Sequence, residues 1–309
     1  MPSRIIEIAQ DERYLSMSRG FMVIESMGNE RNELGRIPLD DIGAVIANAY
    51  GLCYTNNLLV ALAERGAPFV LCGSNHNVAG ILFSADGNHR QAKRFDAQMG
   101  INKSIKNRLW ADIVKSKLAW QAVALDRMGL PSIPLKALID KVKSGDPDNI
   151  EAQGARRYWR LLFGPTFRRD KQSPGINAML NYGYTILRAT TARAVVAAGL
   201  HPTLGLHHSN EGNSMRLVDD LMEPFRPVID FKVCQLSKKG EFTVSAQVKR
   251  KIALTMFVDI QTNEGISPLS ICIQNAATSL AQIFLGESKK LNLPSTFPSA
   301  DEFVDQDEI

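Results

Sequence analysis

The sequence predicts an α+β chain, with an N-terminal β-rich, sandwich-like domain followed by a larger all-α domain. Three observations carry this. Short apolar, β-branched runs separated by Gly, Asn and Asp turns fill the first quarter of the chain. Helical periodicity dominates from about His89 to Leu200. A turn-rich break, Ser84-Ala85-Asp86-Gly87-Asn88, separates the two. The expected division is residues 1–88, residues 89–293, and an acidic flexible tail over residues 294–309.

In chain order, Arg4 to Ala9, Phe21 to Glu25, Gly43 to Ile46, Pro68 to Cys72 and Ala79 to Phe83 read as strands. One helix interrupts them, from about Asn56 to Arg65, with Thr55 placed to cap its start and Gly66 its end. Further on, Leu109, Ile113, Trp120 and Ala124 share one helical face, with Trp110, Val114, Gln121 and Leu125 beside them. That helix also carries Lys103, Lys106, Arg108, Lys115 and Lys117. A second long helix is marked by Leu180, Tyr184, Leu187, Thr191, Val195 and Ala198, and ends before Gly199. Beyond Leu293, Pro294 and Pro298 precede Asp301, Glu302, Asp305, Asp307 and Glu308, with Phe297, Phe303, Val304 and Ile309 as the large apolar residues. That is little apolar surface to offset ordering entropy, so a loose tail is expected.

Composition narrows the function. The 309 residues are 45% hydrophobic, enough for a sizeable core, yet no run of about 18 apolar residues lacks a charge, so no membrane span is expected. The N-terminus lacks the apolar core of a secretory signal. Cys53, Cys72, Cys234 and Cys272 form no Cys-x-x-Cys pair, which leaves a zinc site unsupported and fits a reducing cytoplasm. The net charge of +4 is unevenly spread. Arg156, Arg157, Arg160, Arg168, Arg169 and Lys171 cluster in one segment, and Lys249, Arg250 and Lys251 close a second. Such runs attract polyanions, although many soluble surfaces carry them too.

Three segments hold residues suited to chemistry. In the first, Asp148 or Asn149 is placed to cap a helix with Glu151 in its first turn, where the helix dipole favours a carboxylate. An acid at a helix start is often no more than that, but the arginines that follow suit a place where a metal and a phosphate meet. In the second, His201, His207 and His208 fall on a loop bent by Gly199, Pro202 and Gly205. Adjacent residues of an extended segment face opposite sides, so at most one of His207 and His208 is expected to enter a given site. In the third, Asp219-Asp220-Leu221-Met222-Glu223 lets Glu223 share a helical face with either aspartate. Acids so close repel one another, and a divalent cation or a basic partner relieves this, unless the segment is simply a solvated turn before Pro224. Oxygen ligands with one imidazole suit Mg²⁺ or Mn²⁺ better than zinc.

Together these segments closely resemble the family of CRISPR-associated protein one. The resemblance rests most on Asn181-Tyr182-Gly183-Tyr184, on the run from Gly199 to His208, and on Asp219 through Pro227. Gly51-Leu52-Cys53-Tyr54-Thr55 and Ala67-Pro68-Phe69-Val70-Leu71 look like that family's β-domain, and the spacing from the paired histidines to the acidic motif looks most like the type II version. The resemblance implies that Glu151, His208 and Glu223 form the catalytic metal centre, with Mg²⁺ or Mn²⁺ as cofactor and Asp220 assisting from behind. His207 stands one place before the matching position and takes no catalytic role. The implied activity is a DNA integrase and endonuclease that inserts captured fragments into a CRISPR array by transesterification. Double-stranded DNA, a second copy of the chain, CRISPR-associated protein two, and type II effector and adaptation proteins are the implied partners. Arg156, Arg157, Arg160, Arg168, Arg169, Lys249, Arg250 and Lys251 are expected to line the DNA path. The competing readings are a nuclease on branched DNA and a non-catalytic DNA-binding scaffold.

Overall fold

The computed structural model describes residues 4–28, 30–73, 78–85, 90–263, 265–299 and 301–303, and divides into two compact units. The first comprises residues 1–91 with 196–199, the second residues 92–195 with 200–309. The expected break at Asp86-Gly87-Asn88 lies outside the described residues.

The first unit holds eight strands among the described residues: β1 (Arg4–Ile8), β2 (Arg13–Ser18), β3 (Phe21–Ser26), β4 (Glu33–Pro38), β5 (Ile42–Ala47), β6 (Leu52–Tyr54), β7 (Phe69–Cys72) and β8 (Val78–Leu82). One sheet runs β1-β5-β7-β8, parallel except for the last pair, and the other runs β4-β3-β2-β6. Every residue of β5 is buried, as a continuous apolar run at the centre of a covered sheet should be. Helix α1 (Asn56–Glu64) follows Thr55, whose hydroxyl accepts the Leu58 amide at 3.3 Å. It closes with Gly66 in the left-handed region at φ 65° and the Ala67 amide bonded to the Leu62 carbonyl. Leu15, Met22, Val45, Leu58, Leu62 and Phe69 from both sheets and the helix meet in one core. Strands β2, β4 and β6 escaped the sequence reading because their outward faces are polar or interrupted: Ser16 and Ser18, Gly35 and Pro38, and a β6 of only three residues.

The second unit is built on α2 (Gln91–Gly100), α3 (Lys103–Arg127), α4 (Ile133–Ile139), α5 (Ile150–Phe163), α6 (Ile176–Ala197), α7 (Arg216–Met222), α8 (Arg226–Lys238), α9 (Ala246–Ala253) and α10 (Leu269–Phe284). A small antiparallel hairpin of β9 (Asp259–Thr262) and β10 (Gly265–Pro268) interrupts the helices. All eight residues expected on or beside the apolar face of α3 are buried. Two glycines allow helices to meet closely. A Cβ on Gly154 of α5 would lie 2.3 Å from Leu118 of α3, and one on Gly183 of α6 would lie 2.3 Å from Ile229 of α8. No helix among the described residues is long and apolar enough to cross a membrane.

The C-terminal segment departs from the expected loose tail. Phe297 and Phe303 are buried, with ring centroids 5.7 and 4.8 Å from Phe231, and Phe297 also meets Trp120 edge-on. The Lys232 ammonium donates to the Phe303 carbonyl at 3.0 Å, and Arg127 donates to the Pro298 carbonyl. The two seated phenyl rings, each contributing about 1.5–3 kcal/mol, act together with the bonds from Lys232 and Arg127 against the ordering entropy that the acidic composition alone suggested would win. Residues 304–309 lie outside the described residues.

Candidate active site

Glu151 enters the site from the first turn of α5. The capping differs from the expected one. Asn149 takes a left-handed backbone at φ 51° and makes no side-chain cap, and Asp148 pairs with Lys143. The buried Asp146 carboxylate instead accepts the Ile150 and Glu151 amides at 2.8 and 2.9 Å. It satisfies orphan donors of the helix end and fixes where the Glu151 side chain starts.

Glu223 begins the short 3-10 turn that joins α7 to α8, and it is buried. Between it and Glu151 stands Lys117 of α3, whose ammonium lies 2.5 Å from Glu151 Oε1 and 2.5 Å from Glu223 Oε2. Arg226 reaches Glu223 Oε1 at 3.0 Å. Burial opposes the charge on Glu223, but Arg226 and Lys117 outweigh it and hold the carboxyl below its ordinary range. Burial likewise opposes the charge on Lys117, and Glu223 and Glu151 more than compensate, raising it. In the sequence Lys117 stands only as one of the bases carried by this helix, with no role assigned. The signal that marks it otherwise is its place in the apolar stripe of Ile113, Trp120 and Ala124, where a solvated lysine does not belong.

The three acids of the third segment do not share one partner. Asp219 pairs with Arg188 at 2.7 and 2.9 Å and accepts from Asn213. Fully buried Asp220 accepts the amides of Leu206, His207 and His208 at 2.7, 3.1 and 3.2 Å. It also bonds His208 Nδ1 at 2.5 Å. Gly205 is required there, since its Cβ would come within 2.9 Å of Asp220 and 3.0 Å of the His208 carbonyl. The histidine loop is therefore wrapped around a buried carboxylate.

Because the loop bends there, the alternation expected of an extended segment does not apply, and both rings reach Trp110. His207 stacks flat on it at 4.3 Å, while His208 meets it edge-on at 5.6 Å. Burial lowers the His207 pKa, whereas the Asp220 bond raises that of His208 against burial. Among the described histidines, His208 is the one tied to an acid through its ring.

The Asn181-Tyr182-Gly183-Tyr184 segment braces the site from α6. The Tyr184 hydroxyl donates to Asp230 of α8 at 2.5 Å, and the Arg226 guanidinium lies 4.8 Å from the Tyr184 ring centre. Of the expected DNA-facing residues, Arg156, Arg157, Arg160, Arg168 and Arg250 are exposed, and Lys249 and Lys251 are half-buried, with the Lys249 ammonium over the Tyr182 ring. Arg169 turns inward and donates to Asn177 and Asn181 at 2.9 and 2.6 Å.

The arrangement thus brings together Glu151, Glu223 and a histidine loop, all against α3. Residues 6–259 match the family described as CRISPR associated protein Cas1. The chain belongs to the Cas1 family. It is 33% identical to the CRISPR-associated endonuclease Cas1 of Neisseria meningitidis serogroup C (strain 8013), over 94% of this chain and 96% of that protein. Its fold is similar to that of a casposase bound to integration product, with a TM-score of 0.81 at 18% identity, covering 99% of this chain and 97% of that one. A chain of a Cas6-RT-Cas1–Cas2 complex shares the fold at a TM-score of 0.75 and 18% identity, over 94% of this chain and 36% of that longer one. The Cas1 match contains Glu151, His208 and Glu223, and stops before the Phe297–Phe303 segment.

Proposed function

We propose that the chain is a metal-dependent DNA integrase of CRISPR adaptation, with Glu151, His208 and Glu223 as its catalytic centre. The observation that carries this reading is the meeting of Glu151 and Glu223 around one cationic group, the Lys117 ammonium, beside the His208 loop. Among the described residues no three His, Cys, Asp or Glu side chains close on a single point. The donor set nevertheless fits a hard divalent cation: two carboxylates that already accept positive charge, and an imidazole whose other nitrogen is anchored on a carboxylate. Glu151, Glu223 and His208 Nε2 would hold Mg²⁺ or Mn²⁺, which polarises a phosphoryl oxygen and stabilises charge on the attacking or leaving oxygen.

The residues of the chain supply the remainder. Asp220 fixes the ring of His208 and keeps a proton on Nδ1, so Nε2 is the nitrogen presented to a ligand or to a leaving 3′-oxygen. The 3′-hydroxyl of a captured fragment attacks a phosphodiester at a repeat end. One phosphodiester replaces another, so no nucleotide cofactor is consumed. Arg156, Arg157, Arg160 and Arg168, with Lys249, Arg250 and Lys251, neutralise the phosphates of the duplex. Homodimerisation and assembly with CRISPR-associated protein two belong to this reading; family membership and the fold shared with a chain of a Cas6-RT-Cas1–Cas2 complex support it. The type II assignment, with its effector and adaptation proteins, rests on the histidine-to-acid spacing.

The test is strand transfer of a 3′-hydroxyl fragment into a repeat-end duplex in Mn²⁺. Joined product is expected, and a 3′-deoxy fragment should give none. A second reading, hydrolysis of branched DNA at the same centre, is favoured by the name endonuclease that the Neisseria relative carries. Cleavage without joining, insensitive to the 3′-hydroxyl, would replace the first reading with the second. Tight DNA binding with neither product would leave a scaffold.

A further inference from the structure

The two glutamates of the site meet at one side chain. Each gives one oxygen to the same ammonium at 2.5 Å, and the Lys117 side chain that carries it is 7% exposed. The second Glu223 oxygen is taken by Arg226. With Glu223 7% exposed and Glu151 25% exposed, two carboxylates facing each other with Arg226 as the remaining cation leave one negative charge uncompensated in a largely buried place, which is unfavourable. Lys117 removes that penalty in the protein as it stands. It is placed to do so by packing: α5 approaches α3 closely at Gly154, and Lys117 lies on the buried face of α3 between Ile113 and Trp120.

We propose that Lys117 is the resident counter-cation of the metal centre, a positioning residue that keeps Glu151 and Glu223 assembled until a divalent cation takes its place. This rests on the metal-centre reading above. A divalent ion shared by Glu151 Oε1 and Glu223 Oε2 would need the space the ammonium fills, and its two charges would repel the lysine. Metal loading is then an exchange: the ammonium leaves the carboxylate pair as the ion enters. The lysine sets the metal affinity by competing for the same oxygens, while keeping the two glutamates in place when metal is scarce.

The experiment uses the full chain and Mn²⁺ alone. Calorimetry and the paramagnetic signal of free Mn²⁺ give the affinity, and thermal unfolding in chelator gives the stability of the metal-free protein. Lys117→Met should unfold at a lower temperature than wild type in chelator, recover most of that loss with Mn²⁺, and bind Mn²⁺ at least tenfold more tightly. Lys117→Arg keeps the charge and adds a fork that bonds both carboxylates, so it should stay folded and bind Mn²⁺ at least threefold more weakly. If Lys117→Met does not fold in chelator, refolding by Mn²⁺ supports the exchange, and the arginine variant still decides the affinity. Equal Mn²⁺ affinity in all three proteins overturns the role of Lys117 while the metal centre stands. Absence of Mn²⁺ binding in every protein, the methionine variant included, overturns both.

Discussion

The two units of the chain are built on opposite policies toward charge. Among the described residues, every buried side chain of the first unit is apolar, from Ile8 and Leu15 through Val70. The second unit buries Lys117, Asp146, Asp220, Glu223, Asp230 and Lys232. Burying a charge is costly unless it is paired and hydrogen-bonded, so a fold chosen for stability alone does not collect six of them. Each has a specific task here: Asp146 starts α5, Asp220 holds the histidine loop, Lys117 and Glu223 face each other, Asp230 accepts the Tyr184 hydroxyl, and Lys232 holds the C-terminal segment. The contrast matches the proposed function, which draws its chemistry from the second unit and none from the core of the first.

That contrast makes predictions, beginning with the largest. His208→Ala should lower strand transfer about a thousandfold or more, since a lost contact to the reacting charge raises the barrier by several kcal/mol, and DNA affinity should hardly move. His207→Ala should be much milder, because its ring stacks on Trp110 and meets His208 edge-on, whereas the His208 ring is the one bonded to Asp220. The reverse result would exchange the two histidines. For Glu223, glutamine is the cleaner probe of activity. Alanine removes the partner of both Lys117 and Arg226 and should also destabilise the fold.

Asp220→Ala should lose both activity and stability. It strands the amides of Leu206, His207 and His208, at roughly 1–3 kcal/mol for each one left without a partner. Denaturant midpoints measure this, and a fully stable alanine variant would mean that water replaces the carboxylate. Leu15→Ala in the scaffold core should cost a comparable ~2–5 kcal/mol of stability, yet leave Mn²⁺ affinity per folded molecule unchanged. A change in metal affinity in that variant would break the division of labour between the units.

A finer prediction concerns Asp230, which burial pushes up to about 7, against its bond from Tyr184 and the nearby Arg226. Its folded pKa lies above the ordinary 3.8, so between those values the folded protein holds a proton that the unfolded chain has released. Stability should therefore fall as pH rises through that window and level off above about 7, by up to ~1.4 kcal/mol for each pH unit. Asp230→Asn still accepts from Tyr184 but cannot titrate. The stability difference between variant and wild type should depend on pH below 7 and not above it, and a difference constant from pH 5 to 8 would refute the assignment. Last, Arg156→Ala with Arg160→Ala should reduce the salt dependence of duplex binding by about 0.9 in the log–log slope per lost phosphate contact. Arg169→Ala, whose guanidinium bonds Asn177 and Asn181, should change stability instead.

Much of this molecule was legible in the residues themselves. Apolar β-branched runs and the Thr55 cap marked the β-rich start, and the period of Leu109, Ile113, Trp120 and Ala124 marked α3, because these signals are local and repeat within one element. The segments holding Glu151, the paired histidines and Glu223 stood out as chemistry-bearing, in bends and at helix ends, and their order matched the Cas1 family; the choice of Glu151, His208 and Glu223 among them came from that resemblance. What one dimension does not hold is which charge meets which. That Lys117 stands between two glutamates from different elements, that Asp146 rather than Asp148 or Asn149 caps α5, that Arg169 turns inward, and that Phe297 and Phe303 seat the C-terminal segment are all consequences of packing. Each is settled by whether a side chain finds a partner out of water, and that depends on elements far apart in the chain being brought into contact.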